Sequence, residues 1–114
     1  MIPSSALLSR RLKLRQLLLL RALGETRNLR RSASALNLTQ PAATRLLQEL
    51  EAALGLQLFE RSRRGMAPTP YGEAMIRHAR AVLADLDGAR EELAALAEGS
   101  QGRVVVGSLV STSS

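Results

Sequence analysis

The sequence predicts a mostly α-helical chain: a three-helix core carrying a short β-hairpin, followed by a long helix. Three observations predict it. Leu and Ala dominate the apolar residues while aromatics make up 2% of the chain, so strong helix formers abound and strand formers are scarce. Gly and Asn divide the first 70 residues into short segments with a helical apolar period. From Met75 to Leu96 apolar residues recur at alternating spacings of four and three, a seven-residue repeat that requires a long helix. A length of 114 residues suits one modest core, and a hydrophobic content of 46% suffices to fill it.

The first helix is read over residues 4 to 23, capped by Ser4 or Ser5, with Leu14, Leu17 and Leu18 on its buried stripe and Gly24 as its stop. Asn28 caps a second helix of about eight residues, in which Leu29, Ala33 and Leu36 recur on one face. Thr39 caps a third from Gln40 to Leu54, whose first turn tolerates Pro41 because the amides there lack intrahelical partners. Ala43, Leu46, Leu47, Leu50 and Leu54 form its buried face, and Gly55 suits its left-handed end. Leu56 to Pro68 reads as a hairpin with a basic tip, closed by a positive φ at Gly65.

Thr69 and Pro70 open the long helix, with Glu73 near the positive end of its dipole and an end expected near Glu98. Tyr71 is placed where the hairpin meets this helix. Gly99 to Gly102 is read as a break, and Arg103 to Val110, with Val104, Val105 and Val106, as a strand lacking a partner. The expected organisation is residues 1–69 for the helix-and-hairpin module, 70–98 for the long helix and 99–114 for a hinge and the first strand of a further domain.

Charge and composition narrow the chemistry. Residues 1 to 70 hold 12 basic against 4 acidic residues, and residues 71 to 114 hold 4 against 6, so the net charge of +6 arises in the first part. Fifteen of the sixteen basic residues are Arg, whose planar fork bonds phosphate or guanine with two donors at once. A polyanion is the partner this distribution suits. The absence of Cys removes disulfides, thiol catalysis and Cys-ligated zinc, and agrees with a reducing cytoplasm. No apolar run approaches the roughly 20 residues that span a bilayer, and the N-terminus lacks signal-peptide organisation. His78, the single histidine, has no neighbouring ligands in the pattern and reads as structural or solvent-facing. No glycine-rich phosphate loop and no nucleophile paired with a base is evident, so no catalytic, cofactor or metal site is expected.

The second and third helices with the tight turn between them have helix-turn-helix geometry, which places one helix in the major groove of double-stranded DNA. Thr39, Gln40, Thr44, Arg45 and Gln48 project opposite the apolar stripe of the third helix, toward base edges and phosphates, with Gln40 suited to adenine and Arg45 to guanine or phosphate. Arg61, Arg63 and Arg64 flank the hairpin tip, where a wing straddles a backbone and enters a narrow minor groove. Arg30 and Arg31, with Arg27, sit at the start of the second helix and fit phosphates. Each arginine cluster also fits an ordinary solvated face, and Gln40 and Thr44 also fit a plain helix cap. The repeat Met75, Ala79, Val82, Leu86, Ala89, Leu93 and Leu96 reads as a dimerisation stripe, widened by Ile76, Leu83 and Ala97. Its alternative is packing on its own domain, against which the helix's length of about 40 Å argues.

In these residues the chain resembles the LysR-type transcriptional regulators. The resemblance is carried by Ala35 to Arg45, Leu50-Glu51, Leu54-Gly55, Leu58 to Arg61, Arg64-Gly65, Thr69-Pro70 and Gly72-Glu73, within residues 13 to 107. It implies a winged helix-turn-helix, a linker helix that pairs two subunits antiparallel, and an effector-binding domain after Arg103. It further implies that Gln40, Pro41, Thr44 and Arg45 face the major groove and Arg64 the minor groove. The implied protein is a bacterial, cytoplasmic regulator that binds an inverted repeat as a homodimer, or a tetramer at full length. A small-molecule effector would act only through the further domain. The sequence departs from the family pattern at Leu20, where an aromatic is usual, at Ser32-Ala33 in place of Ala-Ala, and in the basic pair Arg30-Arg31. Rival readings are a winged-helix regulator of another family, a membrane-surface module using residues 6 to 23 as a basic amphipathic helix, and a pure coiled-coil interaction protein.

Overall fold

In the computed structural model, residues 2–103 are described. The element order is α1 (Ser5–Arg11), α2 (Leu14–Thr26), α3 (Leu29–Ala35), α4 (Gln40–Leu54), β1 (Phe59–Ser62), β2 (Gly65–Pro68) and α5 (Pro70–Arg103). Two compact units divide within α5, after Ala81.

The expected first helix is two helices. Leu12 and Lys13 are extended, and the Lys13 backbone N–H donates to Gln16 Oε1 at 2.8 Å, which starts α2 afresh. The buried face of α2 is Gln16, Leu19, Leu20 and Leu23; of the expected stripe, Leu17 is half-buried against the core, Leu18 is half-buried and Leu14 is exposed. A run of four leucines at 17–20 fits either stripe; the restart at Leu14 and the buried amide of Gln16 select the observed one. Gln16 is 2% exposed, and its Nε2 donates to the Leu46 carbonyl at 3.4 Å, so α2 is tied to α4 by a polar bond inside the core. The membrane-surface reading of residues 6 to 23 loses its continuous helix, and Leu19, Leu20 and Leu23 are committed to the interior. Among the described residues no helix is long and apolar enough to cross a membrane.

Gly24 does not stop α2, which continues to Thr26 and ends at left-handed Arg27 (φ 54°). The glycine is there for proximity: a Cβ at this position would stand 2.8 Å from Ile76 Cγ2 of α5. Caps expected at Ser4, Asn28 and Thr39 are present, accepting from the amides of Leu7, Arg31 and Ala42. Gly55 ends α4 at φ 70°, and the buried face of α4 comprises the five expected residues together with Ala53.

Strands β1 and β2 pair antiparallel, with Phe59 opposite Pro68 and Ser62 opposite Gly65, leaving Arg63-Arg64 as the turn. Gly65 has φ +119°, as the hairpin requires, and a Cβ on it would also overlap the Arg27 carbonyl oxygen. That oxygen accepts from the Met66 N–H at 2.9 Å, anchoring the hairpin to the α2–α3 turn.

Thr69 caps α5 through the Gly72 N–H at 3.2 Å. Tyr71, expected at the seam with the hairpin, is 54% exposed; Gly72 occupies the seam, its Cα turned to the Leu58 carbonyl so closely that no Cβ would fit. Ile76 and Ala79 belong to the core cluster, and Met75 packs against it. Ile76 and Ala79 are thus taken up by the core of their own domain, Met75 is half-buried against it, and Leu83, expected to widen the dimerisation stripe, is also buried. Val82, Leu86, Leu93 and Leu96 remain between 44% and 67% exposed. Helix α5 also runs through the expected break at Gly99 to Gly102. A glycine costs about 1 kcal/mol in a helix interior, which weakens a helix without ending it. Of the expected strand, Arg103 is helical, and Val104 to Val110 lie outside the described residues.

Candidate nucleic-acid interface

The interface is assembled from α3, the turn at Asn37, α4 and the hairpin. Asn37 adopts φ 58°, and the Leu38 N–H returns to the Ala33 carbonyl at 2.8 Å, which reverses the chain between α3 and α4. With Leu46, Leu47 and Leu50 buried beneath it, α4 can present only its opposite face. Thr39, Gln40, Pro41, Arg45 and Gln48 are exposed there, and Thr44 is half-buried.

Arg61 brings the hairpin to that face. It lines one depression with Gln40, Pro41, Thr44, Arg45 and Gln48. A second joins it to Asn28, Arg30, Gln40 and Ser62. The start of α3, the polar face of α4 and strand β1 thus converge on one guanidinium. Arg31, Arg63 and Arg64 are exposed but line neither depression. The Arg63-Arg64 turn is shaped by Ser62, whose Oγ donates to the Gly65 carbonyl at 3.3 Å and accepts from the Arg64 N–H at 3.2 Å.

Two positioning residues carry little signal in the sequence. Glu51 Oε2 accepts from the amides of Leu58 and Phe59, at 2.7 and 3.3 Å, and so sets the hairpin against α4. Gln16 does the same for α2, as described above; a glutamine among leucines reads as a surface position. Lys13 and Arg15 share a further depression with Leu38, Ala42, Arg45, Leu46 and Glu49. They belong to a basic stretch, since five basic and no acidic residues precede Glu25.

Among the described residues the ion pair recorded is Lys13 Nζ to Glu49 Oε1, at 3.4 Å and exposed. Among the described residues, the arginines of α3, α4 and the hairpin therefore have no carboxylate partner. Among the same residues no group of His, Cys, Asp or Glu is arranged to hold a metal ion.

A helix-turn-helix whose second helix shows solvent a polar face, with a hairpin arginine beside it, defines a winged helix-turn-helix DNA-binding module. The chain belongs to the LysR family: the family described as bacterial regulatory helix-turn-helix protein, lysR family, matches residues 14–73. It is similar to the HTH-type transcriptional regulator GbpR of Azospirillum brasilense, 50% identical over 108 residues, which cover 95% of this chain and 32% of that protein. Among solved structures it resembles the BenM_DBD/catB site 1 DNA complex, with a TM-score of 0.71 and 31% identity over 75% of this chain and 97% of that one. It also resembles the CbnR_DBD-DNA complex, with a TM-score of 0.63 and 41% identity over 74% of this chain and 99% of that one. The chain spans about a third of the length of the curated relatives it matches. It is a LysR-type helix-turn-helix DNA-binding domain, from a family of transcription regulators rather than enzymes.

Proposed function

We propose that the chain binds a two-fold-related duplex site as a dimer, with α4 in the major groove and the hairpin over the adjoining minor groove. The observation that carries this reading is the position of Arg61 in one depression with Gln40, Thr44, Arg45 and Gln48. Gln40, Thr44, Arg45 and Gln48 contact base edges, with Pro41 shaping the approach and Thr39 at the helix start. Arg30 and Arg31 hold phosphates beside the α3 start, and Arg61, Arg63 and Arg64 hold those along the wing. Phosphate contacts fix register, and the α4 side chains confer sequence preference.

The dimer is formed through the exposed row Val82, Leu86, Ala89, Leu93 and Leu96 of α5. Four of these are large apolar side chains that remain 44% to 67% exposed among the described residues. Joining two reading heads raises apparent affinity through effective concentration. Because relatives such as GbpR are about three times as long, we assign the remainder of a full-length protein to effector binding and to tetramer formation. The setting is the bacterial cytoplasm.

Selection of bound duplexes from a random pool tests this reading. Enrichment of an inverted repeat is expected; enrichment of unpaired single half-sites would contradict the dimer, and absence of any enrichment would contradict sequence reading by α4.

A further inference from the structure

Helix α1 lies outside the residues 14–73 that match the family, and it carries no buried residue. It is nevertheless docked, by Leu8 and Leu12 packed against the core cluster. Its last turn carries Arg10 and Arg11, and Lys13 and Arg15 follow at the start of α2. The segment therefore sets four cations within six residues, and two of them, Lys13 and Arg15, line a flank of α4 other than the one the hairpin reaches. Arg45 borders two depressions. One reaches Gln40, Thr44, Gln48 and Arg61, and the other reaches Ala42, Glu49, Lys13 and Arg15.

A helix lying in a major groove about 12 Å wide has a phosphate backbone along each flank. Arg61 of the hairpin faces one flank. We infer that residues 10–15 form a second phosphate-binding surface on the other flank, so that the reading helix is held between two cationic edges. The inference rests on α4 being the groove helix. The Lys13–Glu49 pair does not oppose it: both side chains are about half exposed, at 60% and 47%, and exposed pairs of this kind contribute little to stability. Lys13 can exchange Glu49 for a phosphate oxygen, while Arg15 is free of any recorded partner among the described residues. Such contacts add affinity without sequence preference.

The test is the salt dependence of binding to a mixed-sequence duplex, comparing the unmodified chain with the variant K13Q/R15Q. Each phosphate contact contributes about 0.9 to the slope of log K against log salt, so the slope is expected to fall by about 1.8. Binding to a selected duplex should weaken by the same factor. Both side chains are exposed, so far-UV circular dichroism and Tm should not change, and Arg15→Lys, which keeps the charge, should retain most of the slope. The charge-matched variant R77Q/R80Q alters arginines in a separate depression, with Gly24 and Pro68, and should leave the slope nearly intact. An unchanged slope in folded K13Q/R15Q, or an equal fall in R77Q/R80Q, would overturn the second surface while leaving the α4 reading in place. Failure of the unmodified chain to bind duplex at low salt would contradict both.

Discussion

At the scale of single residues, the arrangement depends on atoms that are absent and on one carboxylate. Gly72 leaves room for the Leu58 carbonyl, whereas nothing lies within 4 Å of a Cβ built on Gly88 of the same helix. Gly72→Ala should therefore destabilise the chain by about 1–3 kcal/mol through forced backbone displacement. Gly88→Ala should stabilise its helix by up to about 1 kcal/mol. Denaturant titration of the two variants checks the contrast, and equal effects would show that helix propensity alone decides both positions. Glu51→Ala leaves two amides without their acceptor, a loss of about 1–3 kcal/mol, and frees the hairpin from α4. Faster hydrogen exchange at Leu58 and Phe59, together with weaker DNA binding, is the expected signature. Such roles are poorly legible in sequence. Gly65 could be read, because a two-residue hairpin turn calls for a positive φ nearby; Gly24 and Gly72 could not, because what approaches them comes from distant chain.

At the scale of elements, α4 was fully legible and α1–α2 was not. The cap at Thr39, the proline after it, the period of Ala43, Leu46, Leu47, Leu50 and Leu54, and left-handed Gly55 all specify the same helix. In residues 4 to 23 leucine is so frequent that two stripes are equally apolar, and the choice falls to buried Gln16 and its bond to Leu46. In the proposed function the polar face of α4 carries the reading chemistry, with Arg45 as its cation. Arg45→Ala should lower discrimination at one base pair by about 1–3 kcal/mol if the guanidinium bonds a base edge. Titrations with a selected duplex and single-base variants check this; equal losses on selected and random duplexes would reduce Arg45 to a phosphate contact.

At the scale of the whole molecule, the apolar repeat of α5 has two parts that its sequence period does not separate. Ile76 and Ala79 close the core, whereas Val82, Leu86, Leu93 and Leu96 are exposed and Leu83 beside them is buried. A heptad says that a stripe is buried, without saying against what. Leu86→Arg should shift the chain toward monomer, read as a lower sedimentation coefficient, and should leave the helix-turn-helix folded; an unchanged coefficient would remove the exposed row from the dimer. The central claim is that α4 and the hairpin together form the DNA-reading surface. Backbone amide shifts recorded while a selected duplex is added to the chain test it most directly. The account predicts that the largest changes fall on residues 39–48 and 61–65. Changes concentrated on α5, with α4 and the hairpin unmoved, would contradict it.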